Sequence, residues 1–259
     1  MIEAVVSLVG AGPGDPELIS VKGLKRVQQA DVLVYDRLVH PELVRCTRAS
    51  CERIYVGKRK QLHTYHQSAI NELLISHGRK GKRVVRLKGG DPFIFGRGGE
   101  ELDALLSAEV PVEVVPGISA GLGAASSLGL ALTHRDFAQA VTFVTAHRKS
   151  GRMKLDWPLV TRPGQTVVFY MGYTVLDELV HGLLERGVAP TRTLSVVSAA
   201  TRASERCYSV PLANAVNAIP ADLAAPVLVI LHDTPLRLTE RVANGDQAAD
   251  SVERASAGG

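Results

Sequence analysis

Cysteine is scarce in this chain. Cys46, Cys51 and Cys207 are the only three in 259 residues, which suits a reducing compartment and excludes a disulfide framework. Cys46 and Cys51 have four residues between them and no second pair follows, so a four-ligand zinc site is not expected. Long apolar runs are missing too. None approaches the roughly 20 residues that a membrane helix needs. The start, Met1-Ile2-Glu3-Ala4-Val5-Val6, lacks a basic leader and runs straight into a strand pattern, which reads as an unprocessed cytoplasmic beginning. No internal repeat is visible, and no nucleic-acid motif with interleaved aromatics accompanies the basic residues.

What is present suits a packed globular protein of one large or two modest domains. Apolar residues make up 46% of the chain and the mean hydropathy is +0.09. The formal net charge is +4, with bases gathered at Arg45, Arg48, Arg53, Lys58, Arg59 and Lys60. Such a cluster is consistent with a solvated basic face, a polyanionic small molecule or, third, RNA.

Short apolar runs alternate with helical spacing in the first half. Strands are expected at Val5–Val9, Asp31–Asp36, Val84–Leu87 and Val112–Val115. Between them, Leu18, Val21, Leu24 and Val27 recur at helical spacing, as do Ile70, Leu73, Leu74 and His77 before a stop at Gly78, and Leu102, Leu105 and Leu106. This alternation predicts α/β architecture with a parallel sheet. After Pro116-Gly117 the pattern changes: residues 119–130 are rich in Ala, Gly and Ser, as in a close-packed helix. Strands are expected at Val141–Thr145, Thr166–Met171, Leu194–Ser198 and Val227–Leu231, with an amphipathic helix around Leu176–Leu184. The expected domains are 1–115 and 118–243, with 244–259 too polar and small-residue-rich to order itself.

Two glycine-rich loops compete as the chemical centre. Gly10-Ala11-Gly12-Pro13-Gly14-Asp15 follows the first strand like a dinucleotide fingerprint, with Asp31 where a ribose-binding acid would stand. Asp15 replaces the last glycine, however, and Pro13 and Pro16 stiffen the turn and delay the helix, which removes the helix terminus from a pyrophosphate. A nucleotide-dependent oxidoreductase is the reading that this loop would support. Val84 through Glu101 is more specific: a strand runs into five glycines, one acid and a buried-looking Phe93-Ile94-Phe95, then a helix start with Arg97, Glu100 and Glu101. Strand ends of this kind bind ligands in open α/β sheets. Arg97 and Glu100 are three apart and can pair, which keeps the carboxylate ionised. Arg135 in Thr133-His134-Arg135 can clamp a carboxylate, although a lone arginine is commonly a surface cation. His134 reads as a structural histidine. Met171 at the end of a strand is core filler or, beside Gly172, a ligand neighbour. His63 and His66 lack an acidic partner, so no metal is expected there.

Together these segments resemble the uroporphyrinogen-III C-methyltransferases of the tetrapyrrole methyltransferase family. The resemblance runs from about Val5 to Leu231, through Val9–Pro16, Ala30–Asp36, Val84–Glu101, Val114–Ala120, Leu132–Arg135 and Tyr170–Gly172. It implies two α/β domains with the active site in the cleft between them, usually in a homodimer. It also implies transfer of methyl groups from S-adenosylmethionine to C2 and then C7 of uroporphyrinogen III, giving precorrin-2 for sirohaem and cobalamin-type pathways. By resemblance, Pro13, Gly89, Gly90, Asp91, Ser119, Ala120, Met171 and Ala200 would hold the methyl donor. Asp36, Arg97, Arg135 and Met171 would meet the tetrapyrrole, and Glu100, Arg97 and Arg135 would be the catalytic group. No metal, nucleic acid or membrane partner is implied. A sister precorrin methyltransferase and a noncatalytic tetrapyrrole carrier are the neighbouring alternatives. The chain departs from the family pattern at Ser127-Leu128-Gly129-Leu130-Ala131, at Thr145-Ala146-His147 and at His232-Asp233.

Overall fold

The computed structural model describes residues 5–57, 66–146, 148–149, 152–238 and 242–243. Lys58, Arg59 and Lys60 of the basic cluster, His63, His147 and the segment 244–259 lie outside the described residues. The chain divides into two compact units after Ala120.

The first unit contains β1 (Val6–Gly10), α1 (Val21–Gln29), β2 (Val32–Tyr35), α2 (Pro41–Arg45), β3 (Glu52–Tyr55), α3 (Gln67–Arg79), β4 (Val84–Lys88), α4 (Gly98–Ser107) and β5 (Val112–Val115). Its five strands form one all-parallel sheet in the order β3-β2-β4-β1-β5. Successive side chains of a strand point to opposite faces, and two cores follow from that alternation. Val9, Leu33, Val85, Leu87 and Val115 pack with Val27 of α1 and Leu43 of α2. Val6, Leu8, Val32, Val34 and Val84 pack with Ile70 and Leu74 of α3 and Leu105 of α4. Both faces are covered, so β1 and β4 are buried along their whole length.

Helix starts follow local chemistry. Asp15 accepts from Glu17 N–H at 2.8 Å to cap a single 3-10 turn, Pro16–Leu18, and Ser20 Oγ then accepts from Gly23 N–H at 3.1 Å to begin α1. The two prolines do delay the helix, which starts only at Val21. Gly78 does not end α3, contrary to the sequence reading. The helix continues through Arg79, and a Cβ on Gly78 would sit 2.7 Å from Val110 Cγ1. Gly78 is there for close packing, and the left-handed turn falls to Gly81, at φ +70°.

The second unit contains α5 (Ala120–Leu128), which begins at the division, then β6 (Ala140–Thr145), β7 (Arg148–Lys149), β8 (Arg152–Met153), α6 (Trp157–Val160), β9 (Gln165–Tyr170), α7 (Leu176–Glu185), β10 (Thr193–Ser198), β11 (Arg206–Pro211), α8 (Ala215–Ala218), β12 (Val227–His232) and β13 (Val242–Ala243). Its main sheet has the order β13-β11-β10-β12-β9-β6 and is mixed. β6 runs parallel to β9, and β11 to β13, while β9, β12, β10 and β11 pair antiparallel. The apolar stripe of α7, at Leu176, Leu179, Val180 and Leu183, packs with Val167, Phe169, Leu194, Val196, Val229 and Leu231. The small residues of α5 permit close approach: Gly121 N–H donates to Tyr170 Oη at 3.0 Å, and a Cβ on Gly121 would lie 3.2 Å from Val168 Cγ1. Among the described residues no helix is long and apolar enough to cross a membrane.

Candidate functional site

Parallel pairing brings the carboxyl ends of β1, β2, β4 and β5 to one edge, where open α/β sheets take ligands. Three loops meet there at backbone distance. Ala11 N–H donates to Lys88 O at 2.7 Å, and Gly12 and Gly90 exchange hydrogen bonds of 3.3 and 2.7 Å. A Cβ on Gly10 would lie 2.6 Å from Gly117 Cα, and one on Gly117 would lie 2.4 Å from Gly90 O. No other residue fits at 10 or 117 without shifting backbone. Asp91 joins the loops: Oδ1 accepts from Phe93 N–H at 2.8 Å and Oδ2 from Gly117 N–H at 3.0 Å. Gly89, Gly90, Asp91 and Ala120 are half-buried around this junction, while Pro13 and Ser119 are buried.

The next turn corrects one expectation. Phe93 and Phe95, read as buried, are 50% and 42% exposed. Gly98 N–H donates to Pro92 O at 3.0 Å, and Gly96 and Gly98 lie so close to that carbonyl that a Cβ on either would clash. Backbone fills the centre of the loop, so the rings project from it. Phe95 and Arg97 are left-handed, at φ 51° and 59°, a conformation that non-glycine residues adopt at a cost of about 1–3 kcal/mol.

Arg97 forms the N-cap of α4 and grips Glu100 with two bonds, Nε to Oε1 at 2.8 Å and Nη2 to Oε2 at 2.7 Å. The sequence pairing is therefore present. The bidentate bond holds the Glu100 carboxyl below its ordinary range, and it raises Arg97. Both side chains are more than half exposed, so the pair is a surface feature with little effect on stability.

Sequence reasoning missed a charged cluster beneath this edge. In β4, Arg86 and Lys88 share the parity of Val84 and so face α3 and α4. Each is 4% exposed. Both donate to Glu101 Oε1, from Nε at 3.1 Å and Nζ at 3.0 Å respectively, and Gln67 Nε2 donates to the same oxygen at 3.2 Å. Arg86 Nη2 also reaches Asp36 Oδ2 at 3.4 Å, while Asp36 Oδ1 accepts from Leu38 N–H at 2.9 Å. Burial pushes the Lys88 ammonium down from its usual range, reinforced by Arg86 and opposed by Glu101. The available signal was two charges inside an otherwise apolar strand.

The second unit places its expected residues at strand ends. Met171 follows β9 at φ 58° and is 45% exposed. Ala199 and Thr201 follow β10 at φ 51° and 64° around the buried Ala200. Three left-handed non-glycine residues just past strand ends are unusual, and such strain gathers at ligand sites. Arg135 is exposed. His134 is structural: its Nδ1 accepts from Asp136 N–H at 3.2 Å and its ring lies 4.9 Å from that of Phe137. Among the described residues no group of three His, Cys, Asp or Glu side chains could hold a metal ion.

Comparison with known proteins agrees with this geometry. The family profile of the Tetrapyrrole (Corrin/Porphyrin) Methylases matches residues 5–216. The chain is 46% identical over 238 residues to a siroheme synthase of Thioalkalivibrio sulfidiphilus, covering 92% of this chain and 48% of that protein. It is 48% identical over 237 residues to a siroheme synthase of Nitrosospira multiformis, covering 90% and 49%. The chain thus spans about half the length of these curated relatives. A crystal structure of uroporphyrin-III C-methyl transferase from Thermus thermophilus, complexed with S-adenyl homocysteine, superposes with a TM-score of 0.75 at 38% identity, covering 87% of this chain and 96% of that one. The profile match and this near-complete structural correspondence place the chain in the tetrapyrrole (corrin/porphyrin) methylase family.

Proposed function

We propose that the chain methylates uroporphyrinogen III at C2 and then C7 with S-adenosylmethionine as donor, giving precorrin-2 by way of precorrin-1. The observation that carries this reading is the junction of Gly10, Gly90 and Gly117, which packs three strand-end loops together at the carboxyl edge of the sheet, together with the relative of known structure that binds the demethylated donor. That edge is where open α/β sheets take small-molecule ligands. In the first unit Pro13, Gly89, Gly90, Asp91, Ser119 and Ala120 are the proposed donor contacts. Asp91 acts there by holding two loops in register, since both its oxygens are engaged by backbone N–H groups. For the second unit the proposal assigns Met171 and Ala200 to the donor and Arg135 to a substrate carboxylate.

When bound, S-adenosylmethionine supplies a methyl group already activated on a sulfonium. The work left to the protein is orientation, exclusion of water and proton removal. Uroporphyrinogen III bears a carboxylate on every peripheral chain, which suits Arg97 and Arg135 as bidentate partners. Methyl addition to a ring carbon that already bears a side chain leaves the macrocycle cationic, and Glu100 Oε2 is the proposed acceptor of the proton whose loss from elsewhere in the ring system restores neutrality. In the free protein Arg97 weakens it as a base. A substrate carboxylate that draws Arg97 away would free Glu100 and restore its basicity, which ties proton removal to an occupied site. Homodimer formation belongs to the same proposal and rests on the resemblance, and a cytoplasmic location is supported by the scarcity of cysteine.

Incubation with uroporphyrinogen III and S-adenosylmethionine tests the reading, with mass spectrometry of the tetrapyrrole. Two added methyl groups are expected. Methylation of a later precorrin with none of uroporphyrinogen III would assign the chain to a sister activity. Pigment binding without any methyl transfer would leave it a carrier.

A further inference from the structure

Two adjacent glutamates on α4 have opposite surroundings. Glu100 is exposed and grips Arg97, whereas the Glu101 side chain is wholly buried. Glu101 Oε1 accepts from Lys88, Arg86 and Gln67, and Oε2 is buried without a hydrogen-bond partner among the described residues. Burying a carboxylate with two cations carries a large desolvation cost, and apolar replacements of such groups are often neutral or stabilising. An unpartnered buried oxygen adds to that cost. Stability alone therefore does not account for the cluster.

Its geometry leads to the sheet edge. Arg86 is fixed by Glu101 through Nε and by Leu87 O through Nη1 at 3.1 Å, which leaves Nη2 to meet Asp36 Oδ2. Asp36 follows β2, and its other oxygen is occupied by Leu38 N–H. Among the described residues, the orientation of the Asp36 carboxylate thus depends on one backbone bond and one guanidinium arm, and Glu101 fixes the direction of that arm.

We propose that Glu101 is a positioning residue, which fixes Arg86 and thereby sets how the Asp36 carboxylate is presented at the ligand edge of the first sheet. The inference rests on the reading of Asp36 as a tetrapyrrole contact. Glutamine at 101 keeps the shape and removes the charge. Arg86 then has Asp36 as its remaining carboxylate and draws it inward. Lysine at 86 keeps the charge but lacks the fork that spans Glu101 and Asp36.

The test is a double-mutant cycle in the full-length protein, with kcat and KM for uroporphyrinogen III and calorimetric affinity for S-adenosylmethionine. Glu101→Gln and Arg86→Lys are each expected to lower kcat/KM for the tetrapyrrole about tenfold, as small misplacements of site groups do. Donor affinity should stay within about twofold. In an Asp36→Asn background, adding Glu101→Gln should cost less than about twofold more, because linked residues are not additive. A structural defect would instead lower activity by the same factor in both backgrounds, and that result overturns the proposal, as does wild-type kcat/KM in Glu101→Gln. Should Glu101→Gln fail to fold, the same cycle with Arg86→Lys decides. An Asp36→Asn protein as active as wild type refutes the Asp36 assignment and the proposal with it. Full additivity refutes the proposal alone.

Discussion

At the scale of single residues, the Arg97–Glu100 pair sits at a helix start that is itself strained, with Arg97 left-handed. A side chain held this way is aimed by its backbone as well as by its partner. Glu100→Gln keeps a hydrogen-bonding partner for Arg97 but removes the proton acceptor. Turnover should fall about 10²-fold, within the usual share of a general base, with donor affinity unchanged by calorimetry. Equal turnover at saturating substrate would remove Glu100 from that role. Arg135, exposed in the turn between His134 and Ala138, should act on affinity: Arg135→Ala is expected to raise the KM for the tetrapyrrole about tenfold, the cost of a lost charge-assisted bond. Donor affinity should hardly change, and a titration with the reverse pattern would overturn the assignment. The Arg97–Glu100 pairing and the position of Gly89 to Asp91 just past a strand end were legible in the sequence, from the three-residue spacing and from glycines following an apolar run. Phe93 and Phe95 were misread because residue type alone does not say on which side of a loop a ring falls. That depends on Gly96 and Gly98 packing their backbone against Pro92.

At the scale of elements, the glycine junction is the most constrained part of the first unit. Gly117→Ala places a methyl 2.4 Å from Gly90 O and should cost about 1–3 kcal/mol. Gly99→Ala, in the first turn of α4 with no atom within 4 Å of the new methyl, should stabilise by up to about 1 kcal/mol. Urea denaturation of both variants checks the contrast. Strands such as β1 and β4 were visible as apolar runs, and α5 as a run of small residues. β3 and α2 were missed because four or five residues carry too little periodicity. β11 was missed because Arg206-Cys207-Tyr208-Ser209 has no clean alternation of apolar and polar residues, and its place in the sheet comes from pairing with β10. Arg86 and Lys88 were overlooked for a related reason. Charges in a strand suggest a solvated face, and only the buried Val6, Leu8, Val32 and Val34 of the neighbouring strands show that this face is interior.

At the scale of the whole molecule, the two units differ in sheet type and in their response to acid. His232 is buried in the second unit. Its Nδ1 meets Thr234 O at 2.8 Å and must carry the proton, so Nε2 accepts from Ser195 Oγ at 2.8 Å. Burial lowers its pKa to about 4, although the Thr234 carbonyl and Asp233 favour the charged form. The unfolded value is about 6.5. The stabilising effect of the neutral ring is therefore complete above about pH 6.5 and lost as pH falls toward 4, by up to about 3 kcal/mol. Carboxylates act lower. Burial alone would raise Glu113, yet Arg26, Lys22 and Ser7 bring it to about 2, so its contribution is lost only below the ordinary carboxylate range. Denaturation midpoints from pH 7.5 to 4.5 should fall for the wild type and flatten in His232→Asn. Parallel slopes would exclude His232 as the cause.

Strand order also sets a timetable for synthesis. β1 is inserted between β4 and β5, pairing Val6 with Val84 and with Val112. A ribosome adding about 5–20 residues per second delivers those neighbours only seconds after β1 emerges. Until then an apolar segment stands with both edges open. The nascent first unit is thus sticky for a fixed interval, and anything that stalls translation before residue 112 lengthens its exposure to wrong partners.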